Sequence, residues 1–296
     1  MAPTRVLIVG GTGMLGHKLA HVLGAASDLE THVTCRQLPA EPFCAEGVNY
    51  HAGVALEAES ATLRAVLHET TPDVIVNAAG AIKHRDLKSD AGSTLFMNAA
   101  LPHALAAGNP NRAGRVIHFS TDCVFTGSRG NYTEADQPDA TDLYGLSKAA
   151  GELRYAPHLT IRTSIIGFEI ANHLGLVAWF LAQPDGATVR GYSKAIFSGL
   201  PTVTLSRTVL QLIRDGIPLD GLYHVASEPI PKLDLLTRLR EALGLRRTIT
   251  PSDDVAIDRS LDDTRFRSAT GTVRPGWDAL MTELTQDYHS LPYARQ

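Results

Sequence analysis

Two side chains that can exchange protons lie four residues apart in the segment Tyr144-Gly-Leu-Ser-Lys148. If this segment is helical, both side chains project from the same face of the helix. A phenol has an ordinary pKa of about 10, which is too high for ready proton exchange at neutral pH. An ammonium group held close by favours the phenolate and brings the phenol into a working range. The pair therefore predicts a proton-transfer site with Lys148 as the electrostatic partner of Tyr144.

A strand predicted over 116–120 is followed directly by Thr121 and Asp122. Open parallel sheets bind their ligands outside the carboxyl ends of their strands. The hydroxyl of Thr121 is therefore predicted to lie in a binding crevice. By itself the Tyr-x-x-x-Lys pair is a pattern that arises by chance, but its position after a strand-end hydroxyl makes the combination specific.

Three glycines, Gly10, Gly13 and Gly16, follow an apolar run over 6–9 and open a predicted helix. This spacing allows a tight turn, a close approach of the backbone to a pyrophosphate and close packing of the helix on the sheet. The helix N-terminus presents free N–H groups and a positive dipole end to phosphate. The strand–turn–helix context predicts a dinucleotide site. The predicted contacts are Gly10, Thr12, Gly13, Met14, Leu15 and Gly16.

The second predicted strand, over 32–35, is followed by Arg36. Dinucleotide sites place at this point either an acid for the ribose hydroxyls or a base for a 2′-phosphate. Arg36 can bind a phosphate through two parallel hydrogen bonds. The sequence therefore favours NADP(H), with NAD(H) as the alternative cofactor and an exposed surface arginine as the alternative interpretation of this residue.

The elements that must position these residues alternate between short apolar runs and longer amphipathic ones. This alternation predicts an α/β fold, a Rossmann-type doubly wound parallel sheet connected by right-handed βαβ units. Strands are predicted over 6–9, 32–35, 74–77, 116–120 and 159–162. Helices are predicted over 14–23, 61–69, 94–107 and 144–154, the third kinked at Pro102.

The second half of the chain is less regular. Helices are predicted over 202–215, 231–243 and 278–288, and a strand over 222–226 is expected to join the main sheet. We therefore expect residues 1–167 to form the NAD(P)-binding domain, with 197–226 returning to it. Residues 168–196 and 227–296 are expected to form a smaller C-terminal substrate-binding domain.

The composition excludes several classes of partner. With 27 Lys and Arg against 31 Asp and Glu the formal net charge is −4, which predicts neither a nucleic-acid nor an anionic-membrane surface. No uninterrupted apolar stretch approaches the ~18 residues of a membrane span. Three cysteines are too few for a disulfide framework, so a cytoplasmic location is expected. The twelve histidines show no metal-site spacing, and no metal is predicted.

Together, the glycine motif, Asn77-Ala-Ala-Gly80, Ser120-Thr-Asp122 and Tyr144-x-x-x-Lys148 resemble the extended short-chain dehydrogenase/reductases. Within them the chain is most similar to the dTDP-4-dehydrorhamnose reductase group of sugar-nucleotide enzymes. The resemblance covers nearly the whole chain. It implies an NAD(P)H-dependent reductase of a keto-deoxysugar linked to a nucleotide diphosphate, in deoxysugar or surface polysaccharide biosynthesis.

The resemblance also implies roles for single residues. Tyr144 would donate a proton to the substrate carbonyl oxygen as hydride arrives, Thr121 would hydrogen-bond to that oxygen, and Lys148 would complete the catalytic set. Further cofactor contacts are implied for Arg36, Asn77, Ala78, Ala79, Gly80, Asn98, Ser120, Tyr144, Lys148 and Arg162. Substrate contacts are implied for Lys83, Asp122, Cys123, Tyr192 and Arg265. A diphosphate needs cationic partners, and Arg265 or Arg267 is either such a partner or a plain surface arginine.

One departure from the family pattern bears on the reaction. Relatives commonly have a tyrosine after Ser-Thr-Asp, where this chain has Cys123. The thiol is smaller and less polar, so the sugar pocket is expected to be reshaped. Dehydratases of this superfamily carry a glutamate there, which argues against elimination chemistry. An epimerase of the same fold and a non-catalytic NADP-binding regulatory subunit stay open, as does a homodimer through the helices over 94–107 and 144–154.

Overall fold

A parallel sheet of seven strands forms the centre of the computed structural model, which describes residues 2–82, 90–171 and 174–295. Its strands are β1 (Thr4–Val9), β2 (Leu29–Thr34), β3 (Val48–His51), β4 (Val74–Asn77), β5 (Arg115–Thr121), β6 (Leu159–Thr163) and β10 (Gly221–His224). They lie in the order β3-β2-β1-β4-β5-β6-β10. The predicted α/β class and parallel sheet are confirmed, and the strand expected over 222–226 is the edge strand β10. Lys83 lies outside the described residues.

The order of the strands creates the binding crevice. Starting from β1, the chain builds one half of the sheet through β2 and β3 and then returns to β4 on the other side of β1. Loops leaving the carboxyl ends of β1 and β4 therefore diverge, which is the switch point where such sheets bind ligands.

The apolar run in β1 explains why this strand is central. Val6 and Ile8 face one hydrophobic cluster, whereas Leu7 and Val9 face the other, and all four are fully buried. Successive side chains of a strand point to opposite faces. A strand without polar alternation therefore requires cover on both faces, as parallel sheets provide.

Ten α-helices lie among the described residues. They are α1 (Met14–Gly24), α2 (Ala61–Thr70), α3 (Ala91–Leu95), α4 (Leu101–Gly108), α5 (Leu143–Ala150), α6 (Leu176–Leu181), α7 (Thr202–Arg214), α8 (Lys232–Ala242), α9 (Thr264–Thr270) and α10 (Trp277–Ser290). Short 3-10 turns cover Glu41–Phe43, Asp122–Val124 and Pro292–Arg295.

Two helices differ from the prediction in ways that affect the site. The helix expected over 94–107 begins earlier, at Ala91, and passes through a π-helical segment, Phe96–Ala100, before α4 continues from Leu101. The irregularity thus lies just before Pro102, where a kink was expected. The helix expected over 144–154 ends at Ala150, because the backbone turns at Gly151 and carries Glu152 into the interior.

A second, smaller sheet was not predicted. It contains β8 (Thr188–Phe197), flanked by β11 (Ile230–Pro231) and β12 (Thr248–Asp258), while β7 (Ile165–Ile166) pairs with β9 (Leu200–Pro201). The outer strand β12 is largely exposed and rich in charged residues. Its sequence lacks the apolar run that identifies a buried strand, so the sequence pattern did not predict it. Its position is fixed by backbone pairing with β8.

Candidate active site

The glycine motif forms a tight turn between β1 and α1. Gly10 adopts φ of +89°, and a Cβ atom there would lie 2.8 Å from the backbone of Ala79. Only glycine combines this backbone conformation with so close an approach to the loop after β4. At Gly16 a Cβ atom would lie 2.0 Å from the Gly10 carbonyl oxygen, so this glycine lets α1 pack on the turn.

The N-terminus of α1 is suited to a phosphate group. Gly13 is the N-cap residue, and no side chain caps the helix. A Cβ atom on Gly13 would meet only the Gly10 carbonyl oxygen, at 3.6 Å, so the space in front of the helix is open. Thr12 and Met14 are partly exposed beside it, whereas Leu15 is buried beneath. The turn therefore fits the pyrophosphate of a dinucleotide.

Arg36 lies just beyond β2, on the same edge of the sheet. Its side chain is exposed and makes no hydrogen bond or ion pair within the described part of the chain. Thr34, two residues earlier, holds the turn instead, since its carbonyl oxygen accepts a hydrogen bond from Gly11 N at 3.0 Å. The guanidinium of Arg36 is thus available to a ligand in the crevice.

The loop after β4 is fixed by two buried amides. Asn77 Oδ1 accepts a hydrogen bond from Ala79 N at 3.2 Å, and its Nδ2 donates to His118 Nδ1 at 3.1 Å. Asn98, in the π-helical segment, accepts from Ala81 N at 2.8 Å and donates to Ser147 Oγ at 3.1 Å. Both side chains therefore support the crevice wall, where Ala78 is partly exposed and Gly80 exposed.

Tyr144 and Lys148 lie on α5, as the spacing predicted. The helix is capped by Asp142, whose Oδ1 accepts a hydrogen bond from Gly145 N at 2.9 Å. The Lys148 ammonium donates a hydrogen bond to the Phe119 carbonyl oxygen at 2.5 Å, which fixes it against β5. A Cβ atom on Gly80 would lie 3.8 Å from Lys148 Nζ, so the ammonium lies against the loop after β4 at the crevice wall.

The charges in the site differ from the sequence expectation. Burial raises the pKa of Tyr144, the nearby Cys123 adds to the rise, and a hydrogen bond with Thr121 opposes it. Burial also lowers the pKa of Lys148 to about 8, while Glu152 opposes the shift. The expected lowering of the phenol pKa by Lys148 is therefore not found: the phenol is protonated at neutral pH, and the ammonium binds a carbonyl.

Thr121 ends β5 next to these two residues and begins a 3-10 turn. Its Oγ1 accepts a hydrogen bond from Cys123 N at 3.1 Å and donates to Asp122 Oδ1, also at 3.1 Å. Burial raises the pKa of Asp122, and the positive charge of the Arg259 guanidinium opposes this rise. The turn packs closely on α5, because a Cβ atom on Gly145 would lie 2.4 Å from the Cys123 carbonyl oxygen.

Two cations near Asp122 were not predicted. Arg259, just after β12, donates from Nε to the Phe125 carbonyl oxygen at 2.7 Å, and its positive charge acts on Asp122. Lys232, the first residue of α8, acts on the same carboxylate. Neither residue is near Tyr144 in sequence, so only the contact of the end of β12 with the loop after β5 reveals Arg259, and only the folded structure reveals Lys232.

Ser120 and Arg162, predicted to contact the cofactor, instead bind a buried carboxylate. Ser120 Oγ donates to Glu152 Oε1 at 2.8 Å, and Arg162 forms a two-pronged ion pair with Glu152, Nε to Oε1 at 2.5 Å and Nη2 to Oε2 at 2.8 Å. Both side chains of the ion pair are fully buried. The polar atoms of both side chains thus have partners within the protein, and a contact of either residue with the cofactor stays a prediction.

Two predicted substrate residues also lie elsewhere. The Arg265 guanidinium packs on the Tyr223 ring at 4.3 Å and donates to the Leu222 carbonyl oxygen at 2.8 Å, which covers the edge strand β10. The described contacts of Arg265 are therefore with β10, and its contact with the substrate stays a prediction. Tyr192 is partly buried in β8 beside Arg190, with the guanidinium 6.0 Å from its ring, and nothing in its contacts ties it to the site.

Two further properties concern the described residues as a whole. No group of three or more His, Cys, Asp or Glu side chains there is arranged to hold a metal ion. None of the helices in this part of the chain is long and apolar enough to cross a membrane.

Known proteins match this chain in sequence and in fold. A family model described as RmlD substrate binding domain matches residues 4–260. The dTDP-4-dehydrorhamnose reductase of Burkholderia thailandensis is 35% identical over 108 residues, which cover 35% of this chain but only 36% of that protein. A structure of a hypothetical dTDP-4-dehydrorhamnose reductase from Sulfolobus tokodaii is 26% identical, with a TM-score of 0.74, covering 90% of this chain and 94% of that chain.

A second solved structure shares the fold at lower identity. The dTDP-4-dehydrorhamnose reductase of Bacillus anthracis, in complex with NADP, is 18% identical with a TM-score of 0.75. The superposition covers 96% of this chain and 99% of that one. At this identity the likeness concerns the fold alone.

Proposed function

Because the chain belongs to the RmlD substrate binding domain family, we propose that it is an NAD(P)H-dependent reductase of a nucleotide-linked keto-deoxysugar. The observation that carries the proposal is the position of Thr121, at the carboxyl end of β5, close enough to Tyr144 of α5 to act on the pKa of its phenol. The glycine turn and the loop after β4 open on the same edge of the sheet. A reductase needs a proton donor beside a dinucleotide crevice, and this edge supplies both.

The residues of the crevice fit a nicotinamide dinucleotide. The open N-terminus of α1 would hold the pyrophosphate through the backbone N–H groups of Met14 and Leu15. Arg36 would contact a 2′-phosphate, which favours NADP(H) over NAD(H). Lys148, at the crevice wall, would hold ribose hydroxyls. When bound, the reduced nicotinamide supplies the hydride.

Tyr144 would act as the general acid. Its raised pKa keeps the phenol protonated at neutral pH, so it can donate its proton to the carbonyl oxygen of the sugar as negative charge develops there. The Thr121 hydroxyl would hydrogen-bond to the same oxygen and hold it in line with the phenol.

We propose Arg259 and Lys232 as the cationic partners of the substrate diphosphate, in place of Arg265. The Nε atom of Arg259 is bound to Phe125, whereas its terminal nitrogens have no hydrogen-bond partner within the ranges that the structure describes. Both cations act on Asp122, next to Thr121. A diphosphate bound there would leave the sugar within reach of the acid, because Thr121 and Asp122 are consecutive.

An assay of turnover tests the proposal. Purified protein is incubated with NADPH or NADH and a panel of dTDP- and UDP-linked 4-keto-6-deoxysugars, and cofactor oxidation and product are followed. Cofactor consumption matched by formation of the deoxysugar alcohol is expected. Interconversion of sugar epimers without net cofactor oxidation would favour the epimerase alternative. Cofactor binding without either reaction would favour a regulatory subunit.

The same proposal assigns separate parts of the chain to the cofactor and to the substrate. Residues 1–167 and 197–226 would bind the cofactor, since β10 completes the central sheet. Residues 168–196 and 227–296 would bind the substrate, since they supply β8, β12 and Arg259. None of the three cysteines forms a disulfide, which supports a cytoplasmic location.

We also propose that the protein forms a homodimer through α3 and α5. Leu95 of α3 is 46% exposed and Leu146 of α5 is 54% exposed, and these two helices pack against each other. Exposed large apolar side chains favour association.

A further inference from the structure

We infer that Tyr293, near the C-terminus, and His17 are positioning residues for the cofactor: they form a hydrogen-bonded chain that fixes the Gly13 carbonyl group of the phosphate-binding turn. This inference rests on the proposed function, because it names what holds the dinucleotide turn in its binding geometry.

The chain of hydrogen bonds has one consistent direction. The His17 Nδ1 atom lies 2.9 Å from the Gly13 carbonyl oxygen, and His17 Nε2 lies 2.6 Å from the Tyr293 hydroxyl. A carbonyl oxygen only accepts, so Nδ1 carries the proton. In a neutral imidazole Nε2 is then the acceptor, and the Tyr293 hydroxyl donates to it.

Because both side chains are buried, loss of either hydrogen bond is costly. His17 is 2% exposed and Tyr293 is 8% exposed, so water does not readily replace a lost partner. Burial also lowers the pKa of His17 to about 3, which keeps the ring neutral and its direction of hydrogen bonding constant at physiological pH. The hydrogen bonds from Tyr293 through His17 to Gly13 are therefore permanent and do not act as a pH switch.

The C-terminal segment is attached firmly enough to act on α1. The Lys18 ammonium, next to His17, forms a buried ion pair with Asp287 of α10. The Tyr293 ring packs on Phe43 and Phe168, with ring centroids 5.7 and 4.9 Å apart. The hydroxyl of Tyr293 is thus held in place by side chains from three separate parts of the chain.

Fixing the Gly13 carbonyl also fixes the donor that faces the cofactor. The carbonyl accepts two hydrogen bonds, from His17 N at 3.1 Å and from the His17 ring. In a trans peptide the C=O and the following N–H point in opposite directions. The Met14 N–H is therefore directed out of the helix N-terminus, and a carbonyl that accepts two bonds makes its N–H a stronger donor.

The test compares Tyr293→Phe with Tyr288→Phe in the full chain. Tyr288 also packs on Phe168, with ring centroids 5.1 Å apart, but its hydroxyl has no hydrogen-bond partner among the described residues. Binding of NADPH is measured by isothermal titration calorimetry and folding by thermal denaturation. Loss of one hydrogen bond should raise the Kd of Tyr293→Phe about 3- to 10-fold, whereas the Kd of Tyr288→Phe should stay at the wild-type value.

A Kd of Tyr293→Phe equal to that of wild type would overturn the inference, whatever the change in melting temperature, and would leave the proposed function intact. An equal rise in both variants would also overturn it, since ring packing alone would then be responsible. A wild-type protein that binds neither NADPH nor NADH would overturn both this inference and the proposed function.

Discussion

At the residue scale, Lys148 is a buried cation that is hydrogen-bonded to the backbone of β5. Its ammonium is buried, it donates to the Phe119 carbonyl oxygen, and its pKa is lowered to about 8. The Tyr144 phenol, whose pKa is raised, stays protonated through this range. The group that titrates near neutrality is therefore the lysine, although sequence reasoning assigns that part to the tyrosine.

The pH dependence of turnover follows from this assignment. The Lys148 ammonium is present below a pH of about 8 and is lost as the pH rises through it. We expect kcat to fall about tenfold per pH unit on the alkaline side. In Lys148→Arg, where the cation does not titrate, kcat should be lower but the alkaline fall should disappear. A wild-type profile that is flat to pH values of about 10 would contradict the assignment.

The second prediction at this scale separates two arginines. Arg259→Ala removes a cation next to Asp122 and should raise the KM for the sugar nucleotide about 10-fold or more, since charged hydrogen bonds contribute ~1.5–3 kcal/mol. Arg265→Ala, whose guanidinium packs on Tyr223, is the matched control and should keep the wild-type KM. The reverse pattern in steady-state kinetics would restore the interpretation based on sequence alone.

At the scale of elements, the buried ion pair between Glu152 and Arg162 connects the segment after α5 to β5 and β6. Arg162 also lies 3.3 Å from His224 Nε2 of β10 and over the Phe125 ring at 5.1 Å. Burial together with the charge of Arg162 lowers the pKa of His224 to about 4. The ion pair and its hydrogen bonds therefore hold together the carboxyl ends of the neighbouring strands β5, β6 and β10.

Breaking this ion pair should destabilise the fold. Arg162→Met leaves the Glu152 carboxylate buried without its main partner, and we expect the free energy of unfolding to fall by about 3–5 kcal/mol. Arg190→Met, which removes an exposed ion pair with Asp254, should change it by less than about 1 kcal/mol. Urea unfolding of both variants measures the difference, and equal small losses would show that the buried pair is not a main support.

The same elements show what the sequence could and could not predict. The runs that became β1, β4 and β5 are buried on both faces, so composition alone identified them. The Tyr144–Lys148 spacing was sufficient to place both on α5. By contrast, the partner of Arg162 is Glu152, and the cations near Asp122 come from the residue after β12 and from α8. Those contacts depend on tertiary packing between distant segments, which no local pattern encodes.

At the scale of the whole molecule, the proposed substrate-binding part would contribute cations to a site whose proposed acid and cofactor turn adjoin the central sheet. The C-terminal segment contacts α1 through an ion pair between Asp287 of α10 and Lys18 and through the hydrogen bond between Tyr293 and His17. Under the proposed function, binding of the cofactor and of the substrate would therefore depend on segments from both ends of the chain.

The proposed dimer is tested at this scale. Leu146→Glu places a charge in the apolar surface of α3 and α5 and should convert the dimer to a monomer, because an unpaired charge in an interface is costly to desolvate. Analytical ultracentrifugation gives the mass, and Leu38→Glu, at another exposed leucine, is the control that should stay dimeric. A monomeric wild-type protein would contradict the proposal.

The most direct test of the central claim compares wild-type protein with Tyr144→Phe in reduction of a dTDP-linked 4-keto-6-deoxysugar by NADPH. The variant lacks only the phenolic hydroxyl, and removal of a general acid lowers kcat by about 10²- to 10⁴-fold. We predict that wild-type protein consumes NADPH, that the variant loses kcat to this extent, and that both bind NADPH with similar Kd. Turnover by Tyr144→Phe at the wild-type rate would contradict the account.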